Sequence, residues 1–454
     1  MLDKTALLTD AQMRFFIVNG YVTVKTDLPP EFHRSVFEQT AAVFEKEGNP
    51  GNNLLPRIPA VRQVFDSRAV QGALRSILGE DYYMQPHRHC HYNQPASQGQ
   101  NMHQDGGKRW SHLTRWMLAF YYPQDTFQAL GPTGILPGSH YYNTPDSARI
   151  NEELPLCGEA GTVTIAHYDL WHRAMPNRSE KRRYMMKFLF ARMSEPRSPS
   201  WNHAQAGPWQ NDQRMFQHVW NWHCGQTNGG MSQASRSGAG CISKLMEALE
   251  SDWEPTGLHA AYALSGLGAP AVPGLIERLG NESEAICRNT CYALSAMGTP
   301  AVGALIGALR DGDWRIRDRA AETLGDMGLP ARAALPALVQ AMQDESEEVR
   351  SHAAEALGTV GQLEPTTAPA LISGLRDEHG CVRRNAALAL ARLGAHARDA
   401  VDALQAVLFD EDRYVRGDAA HALHRIGTPE ARGVLLRFLT TSRWCPLTTP
   451  DSTF

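Results

Sequence analysis

The chain has 454 residues, of which 43% are hydrophobic and 20% are charged, and its formal net charge is −4. This length exceeds that of one ordinary hydrophobic core and predicts two or three domains. The small negative charge gives no reason to expect a nucleic-acid partner. The sequence has no apolar stretch of about 18 residues, which excludes a membrane-spanning helix and argues against a membrane partner.

The amino terminus and the cysteines bear on the compartment. The first residues, Met1 to Lys4, are not a charged segment followed by an apolar one, so we expect no signal peptide. The eight cysteines are scattered without a paired CxxC pattern. We therefore expect free thiols in a reducing compartment, and a cytoplasmic protein.

The first 195 residues have the pattern of many short strands and a few helices. Thr9 precedes an apolar helix that runs into a strand at Tyr21 and Val22, and residues 31–47 carry apolar side chains at helical spacing. Four further segments are predicted to be strands bounded by Gly, Pro and Asn: residues 82–92, 116–122, 161–165 and 184–190. Short strands joined by long loops predict a jelly roll with flanking helices.

Three residues in this region form a candidate metal site: His103, Asp105 and His172. Two imidazoles and one carboxylate are the smallest set that holds iron(II) on one face and leaves the opposite face open. Arg183 follows His172 by 11 residues. A guanidinium can grip a carboxylate through two parallel hydrogen bonds, as a dicarboxylate co-substrate requires. The set predicts an iron(II)- and 2-oxoglutarate-dependent oxygenase with O₂ as its other co-substrate.

Four segments resemble the phytanoyl-CoA dioxygenase family in order and spacing, over about residues 5–195. They are residues 8–22, His103-Gln104-Asp105, Gly134-x-x-Pro137-Gly138-Ser139-His140, and Trp171-His172-x4-Asn177-x-Ser179-x3-Arg183. The resemblance implies a double-stranded β-helix (jelly roll) that binds iron(II) through His103, Asp105 and His172. It also implies that Arg183 binds the distal carboxylate of 2-oxoglutarate.

The same resemblance bears on the reaction. Family members that halogenate have a small residue where this chain has Asp105. The carboxylate therefore favours hydroxylation, or another outcome of hydrogen abstraction such as desaturation or ring closure, with formation of succinate and CO₂.

Two other arginines compete with Arg183. Arg178 and Arg182 lie nearby, but strand alternation lets only one of residues 182 and 183 point inwards, and the spacing in the family selects Arg183. We interpret Arg178 and Arg182 as solvated surface charge.

Three histidines, His87, His89 and His91, share one face of a predicted strand. A cupin-type metal site uses such a pair but also needs a glutamate a few residues later, which is absent here. We interpret them as pocket wall, structural hydrogen-bonding groups or co-substrate contacts. Residues 134–140 are predicted to form a tight turn at the edge of the site. The candidate pocket residues are His91, Asn93, Gln104, Trp116 and Ser139.

The second half of the chain is repetitive. The motif Ala-x-Ala-Leu-x-x-x-Gly, with small variations, recurs around six leucines: Leu264, Leu294, Leu324, Leu357, Leu390 and Leu423. Each unit is long enough for two helices, and an Asp-x4-Val-Arg pattern marks the turn into the second helix of several units. The pattern over about residues 242–440 resembles HEAT repeats, an all-α solenoid whose units bury their apolar faces against their neighbours.

These patterns divide the chain into four parts. We predict an oxygenase domain at residues 1–195, a cover segment and linker at 196–240, a solenoid of six units at 241–440, and a tail at 441–454. Residues 201–223 contain four tryptophans, which predicts an ordered cover, whereas residues 225–240 have the Gly/Ser-rich composition of a linker.

The sequence is compatible with two functions of different classes. The first is an oxygenase acting on a small molecule or on a substrate borne by a carrier or peptide, with a solenoid that either recruits a protein partner or helps to shape the active site. The second is an interaction scaffold in which the solenoid binds a protein and the oxygenase fold is non-catalytic. The intact triad and Arg183 favour the first.

Overall fold

The computed structural model of the protein describes residues 4–106, 110–148, 152–204, 207, 209–210, 213–226, 239–362 and 364–441. Residues 227–238 of the predicted linker and 442–454 of the predicted tail lie outside the described residues. Within the described part, every helix is too short or too polar to cross a membrane.

The amino-terminal region is built on two antiparallel sheets, which together form the predicted jelly roll. Five strands form the larger sheet in the order β1-β6-β3-β8-β2, and three form the smaller sheet in the order β5-β4-β7. The strands are β1 Tyr21–Lys25, β2 Tyr82–Asn93, β3 Trp116–Tyr121, β4 Thr133–Ile135, β5 Leu154–Pro155, β6 Thr162–His167, β7 His172–Ala174 and β8 Arg183–Arg192.

Helices flank this β-rich domain and make up the second half of the chain. The first seven are α1 Asp10–Asn19, α2 Pro30–Glu47, α3 Leu54–Arg57, α4 Val61–Asp66, α5 Arg68–Leu78, α6 Pro145–Ala148 and α7 Arg214–His223. The others are α8 Ala239–Leu249, α9 Glu254–Ser265, α10 Val272–Arg278, α11 Glu284–Met297, α12 Thr299–Ala308, α13 Trp314–Met327, α14 Leu335–Ala341, α15 Glu347–Val360, α16 Ala368–Gly374, α17 Gly380–Leu393, α18 Val401–Ala406, α19 Arg413–Ile426 and α20 Pro429–Thr441.

Alternation along β8 gives the larger sheet two different faces. Phe188 points to the face covered by helices, where its ring lies 4.3 Å from that of Phe65 in α4. Arg183, Met185 and Lys187 therefore point to the opposite face, because successive side chains of a strand alternate. This second face lies inside the jelly roll and carries the candidate site.

The segment predicted to be a tight turn, residues 134–140, is only partly a turn. Gly134 lies in β4 and pairs with both β5 and β7. A side chain at this position would collide with Glu153 and Met175, so close approach explains this glycine. The turn itself is made by Pro137 and Gly138, and the φ of 79° at Gly138 favours glycine; a short 3₁₀ helix, Ser139–Tyr141, follows.

The cover segment is largely buried between the two halves of the protein. Trp201, Trp220 and Trp222 are each at most 7% exposed. Helix α7, which carries two of them, packs against α1 of the β-rich domain and α9 of the helical region. The four-tryptophan segment thus packs between the two domains as well as covering the β-rich one.

The repeats form six helix pairs within the described residues, α8–α9 through α18–α19, with α20 after the last. The predicted Asp-x4-Val-Arg turns link successive units. Arg317 donates to Asp344 of the next unit at 2.7 and 2.8 Å, and Arg350 donates in the same way to Asp377 at 2.7 and 3.1 Å. These two-point contacts join neighbouring units with a defined geometry.

The solenoid also packs on the β-rich domain, which the repeat pattern did not predict. Arg115, just before β3, donates to both Glu195 and Asp326 of α13. Residues of α19 contact β2, where His87 Nδ1 lies 2.9 Å from Tyr414 Oη. The expectation that the units bury only against their neighbours is incomplete, since one apolar core runs through both halves.

We predict that Leu324→Ala lowers the free energy of unfolding by about 2–5 kcal/mol, because Leu324 in α13 is fully buried and its truncation leaves a cavity. Urea unfolding monitored by circular dichroism measures this change. Leu436→Ala in α20 is the matched control, because Leu436 is 64% exposed and its truncation removes little buried surface. Equal losses in the two variants would contradict the assignment of Leu324 to the core.

Candidate metal centre

The three predicted ligands are brought together by pairing of the His103 loop with β7. The backbone N–H of His103 donates to His172 O at 3.0 Å, and the N–H of His172 donates to His103 O at 2.9 Å. One potential ligand atom each from His103, Asp105 and His172 lies within 4.8 Å of the other two. Among the described residues this is the one group of three or more such side chains that has metal-site spacing.

Hydrogen bonds to backbone carbonyls orient both imidazoles. His103 Nδ1 lies 2.9 Å from Asn101 O, and His172 Nδ1 lies 2.8 Å from Leu170 O. A carbonyl only accepts, so each Nδ1 carries the proton and each Nε2 is left with a free lone pair. In metal-binding histidines, a hydrogen bond from the ring nitrogen that does not bind the metal fixes the ring orientation and the tautomer.

The charges at the site suit a divalent cation. Burial lowers the pKa of His172 to about 4, so its imidazole is neutral at neutral pH. Burial opposes ionisation of Asp105, but Lys187 and His172 outweigh this effect and lower its pKa below the usual value. Asp105 therefore offers a carboxylate and His172 a neutral imidazole, the protonation states that metal binding requires of these groups.

Lys187 is a functional candidate that the sequence analysis missed. Its Nζ lies 2.5 Å from Asp105 Oδ2, and its side chain is only 6% exposed. Asp105 Oδ1 lies 3.9 Å from His103 Nε2, and Oδ2 lies 3.7 Å from His172 Nε2. One carboxylate oxygen is thus held by Lys187 while the other remains available. The available signal was strand alternation, which places residues 183 and 187 on one face of β8.

Arg183 is buried on that inner face. Its Nε donates to Gly131 O at 2.9 Å, and its side chain is 1% exposed. Burial lowers its pKa, and no carboxylate forms an ion pair with it among the described residues. By contrast, Arg182 is exposed and pairs with Glu45 at 2.7 Å, and Arg178 is exposed. Among the residues that the structure describes, the guanidinium of Arg183 is thus a buried positive charge with no anionic partner. It lies on the same sheet face as Lys187.

The histidines of β2 lie beside this site and do not form a second group with metal-site spacing among the described residues. His89 is opposite Lys187 and His91 is opposite Met185 in the β2–β8 register, so both lie on the inner face. Burial lowers the pKa of His91 to about 2 and that of His87 to about 4, so both are neutral. This placement suits the interpretation as pocket wall.

The remaining candidate pocket residues divide into two groups. Asn93, Gln104 and Ser139 hold loop backbones: Asn93 Nδ2 donates to Met175 O at 2.9 Å, Gln104 Nε2 donates to Asp169 O at 2.6 Å, and Ser139 Oγ accepts from the N–H of Trp171 at 3.0 Å. Trp116 instead lines a cavity of about 310 Å³.

That cavity lies between the β-rich domain and the solenoid. Its first wall begins at Gly106, the residue after Asp105, and includes Trp110, Trp116 and Asp169. Its second wall comes from α13, α15 and α17 of the solenoid. Its volume lies within the range of about 300–1,000 Å³ that is typical of small-molecule sites.

Comparison with known families agrees with this geometry. The chain matches the family model of phytanoyl-CoA dioxygenase over residues 28–185, and the model of HEAT repeats over residues 302–391 and 368–445. The chain contains a phytanoyl-CoA dioxygenase domain followed by HEAT repeats. This domain indicates a non-heme, 2-oxoglutarate-dependent oxygenase. Among the described residues, further helix pairs precede this match, as far as α8.

No curated protein matches the chain. Similar solved structures include the non-heme alpha ketoglutarate dependent carbocyclase SnoK from nogalamycin biosynthesis (18% identity, TM-score 0.36, covering 41% of this chain and 85% of that one). HygX from Streptomyces hygroscopicus, with nickel and 2-oxoglutarate bound, has 16% identity and a TM-score of 0.34, covering 41% and 87%. EctD from S. alaskensis has 13% identity and a TM-score of 0.37, covering 44% and 82%. Likenesses this low carry no argument about the reaction of this chain.

Proposed function

We propose that the protein is an iron(II)- and 2-oxoglutarate-dependent dioxygenase that hydroxylates or otherwise oxidises an unactivated C–H bond. The observation that carries the proposal is the convergence of His103, Asp105 and His172, with Arg183 buried on the adjoining inner face of the dioxygenase domain. The substrate is a small molecule, free or borne by a carrier or peptide.

Each residue has a distinct role in this proposal. His103, Asp105 and His172 would hold the iron, and their free Nε2 atoms and carboxylate oxygen fit that role. Three protein ligands leave coordination positions for 2-oxoglutarate and O₂. When bound, the iron supplies the oxidative decarboxylation of 2-oxoglutarate to succinate and CO₂, coupled to oxidation of the substrate. Lys187 holds Asp105 in place through its second oxygen.

The buried guanidinium of Arg183 fits a carboxylate co-substrate. A buried charge without a counter-ion is costly, and a carboxylate that pairs with it offsets that cost. The presence of Asp105 supports hydroxylation over halogenation, because halogenating members of the family lack this carboxylate. His91 lies outside the group formed by His103, Asp105 and His172, which supports a role as a co-substrate or pocket contact rather than as a ligand.

We predict that Arg183→Ala raises the KM for 2-oxoglutarate by at least about tenfold, because loss of a buried charge partner costs about 2–5 kcal/mol. Steady-state succinate formation at varied 2-oxoglutarate measures this change. Arg182→Ala is the matched control on the neighbouring residue, and its KM should be close to that of the wild type. Equal effects of the two substitutions would overturn the assignment of Arg183.

Binding of iron(II) and 2-oxoglutarate can be tested separately from turnover. Under anaerobic conditions, chelation of protein-bound iron(II) by 2-oxoglutarate produces a visible absorption band, and the wild-type protein should show it. His172→Ala should not show the band, whereas His91→Ala should. The scaffold alternative, in which the HEAT repeats bind a protein and the dioxygenase fold is non-catalytic, predicts no band in any of the three proteins.

A further inference from the structure

One peptide unit, between Tyr142 and Asn143, joins the solenoid to the metal centre. Its carbonyl oxygen, Tyr142 O, accepts from Gln104 Nε2 at 3.0 Å and from Trp171 Nε1 at 2.8 Å. Its N–H, that of Asn143, donates to Glu254 Oε1 of α9 at 2.8 Å. Both polar groups of one peptide unit are therefore engaged, the carbonyl by the dioxygenase domain and the N–H by the first repeat of the solenoid.

The two side chains that donate to this carbonyl are next to all three proposed ligands in the chain. Gln104 lies between His103 and Asp105, and Trp171 directly precedes His172. One carbonyl oxygen thus holds both of the segments that carry the ligands. A hydrogen-bond partner behind a ligand typically changes the metal affinity by about 10–100-fold when it is lost. The direction of this carbonyl therefore bears on how well the site binds a metal ion.

Glu254 holds this segment with both of its carboxylate oxygens. Oε1 accepts from the backbone N–H and from Nδ2 of Asn143, at 2.8 and 3.1 Å. Oε2 accepts from the backbone N–H and from Oγ1 of Thr144, at 3.0 and 2.8 Å. These bonds are charge-assisted and therefore stronger than those between neutral groups. Because a peptide unit is planar and rigid, an anchored Asn143 N–H also fixes the direction of the Tyr142 carbonyl.

A second residue of the solenoid, Tyr292 in α11, supports the same arrangement. Its hydroxyl accepts from Asn143 Nδ2 at 3.3 Å, and its ring stacks on that of His112 at 4.0 Å. His112 lies shortly before β3, and its Nδ1 is 2.8 Å from Tyr262 Oη of α9. Helices α9 and α11 thus contact both this segment and the one that leads from the first two ligands into β3.

We propose that Glu254 is a positioning residue of the metal centre. It acts through the peptide unit between Tyr142 and Asn143 and holds the ligand-bearing segments at the separation that iron(II) binding needs. The inference rests on the proposed function, because it takes the three-residue group described above to be the iron site. The solenoid then contributes to the metal site itself, and a dioxygenase domain without it keeps all three ligands but lacks the anchor of their segments.

Anaerobic equilibrium dialysis of the full-length protein against iron(II) tests this role. Glu254→Ala should raise the Kd for iron by at least about tenfold, because it removes the anchor behind the ligand-bearing segments. Glu254→Gln keeps the shape of the side chain and one acceptor oxygen, so it should raise the Kd by a smaller factor. Glu250→Gln is the matched control, because Glu250 pairs with Arg278 at 2.7 Å within the solenoid, and its Kd should equal that of the wild type.

A further substitution tests whether Glu254 acts through the shared carbonyl. Trp171→Phe removes the indole N–H that donates to Tyr142 O and leaves an aromatic ring in its place. If both residues act through one peptide unit, the factors by which Glu254→Ala and Trp171→Phe raise the Kd should not multiply in the double variant. A double variant weakened by the full product of the two factors would mean that the residues act independently, and this result would contradict the inference.

A merely structural role of Glu254 would lower the midpoint of urea unfolding and leave the Kd for iron unchanged in the folded protein. A wild-type Kd in Glu254→Gln, or in a folded Glu254→Ala, overturns the inference. The iron(II) and 2-oxoglutarate absorption band, recorded on the same samples, separates this failure from that of the proposed function. A normal wild-type band with unchanged iron affinity in the variants contradicts only the positioning role. Weakened iron affinity in the variants, without a band in the wild type, contradicts only the oxygenase.

Discussion

Replacing Asp105 with alanine is expected to abolish both iron(II) binding and succinate formation. The substitution removes the single negative charge among the three proposed ligands, and two neutral imidazoles alone hold a divalent iron weakly. Equilibrium dialysis against iron(II), together with a succinate assay, measures the two effects. Full turnover by Asp105→Ala would show that the assignment of this carboxylate is wrong.

Two controls separate loss of a ligand from loss of the fold. Asp105→Ala leaves Lys187 buried without its partner, so part of any effect reflects destabilisation. His172→Ala removes a ligand without stranding a charge and should also lose iron. His91→Ala removes a buried imidazole of the same sheet face and should retain it. The pattern across the three variants, rather than any one loss, identifies the ligands.

Replacing Arg115 with alanine should destabilise the whole protein by about 3–5 kcal/mol, because it leaves Glu195 and Asp326 buried without their counter-ion. All three side chains are at most 9% exposed. Because Asp326 belongs to α13, this contact joins the solenoid to the dioxygenase domain. Chemical unfolding, followed by circular dichroism, measures the loss.

Arg62→Ala is the control for this prediction. Arg62 pairs with Asp66 one helical turn away, and both side chains are more than 40% exposed, so its loss should cost less than about 1 kcal/mol. Similar stability of the Arg115 and Arg62 variants would mean that the two domains do not depend on this ion pair.

Local patterns in the sequence predicted the elements of the dioxygenase domain well. The amphipathic segment at residues 31–47 is α2, Pro30–Glu47, and the strand predicted at residues 184–190 lies within β8. Strand alternation placed residues 182 and 183 on opposite faces, and the family spacing selected Arg183 as the inward one; Arg183 is buried and Arg182 is exposed. These successes share a cause, because side-chain periodicity reports directly which face of an element is buried.

Two features of the structure could not be predicted from side-chain periodicity. The position of Lys187 against Asp105 depends on a loop 82 residues earlier in the chain, and strand alternation alone does not place that loop. The docking of the solenoid was hidden because the repeat pattern reports contacts between units, not contacts with another domain. Tyr262 and Tyr292, at the same position of two successive repeats, contact His112 of the dioxygenase domain.

The most direct test of the central proposal is 2-oxoglutarate turnover by the purified full-length protein with iron(II) and O₂. The wild type should form succinate and CO₂ in equal amounts. Without its substrate it should still form both, at a slow rate. His103→Ala, with the same fold by circular dichroism, should form neither above background. Absence of succinate from iron-loaded wild type, or equal rates in the wild type and His103→Ala, would contradict the assignment as an oxygenase and favour the scaffold.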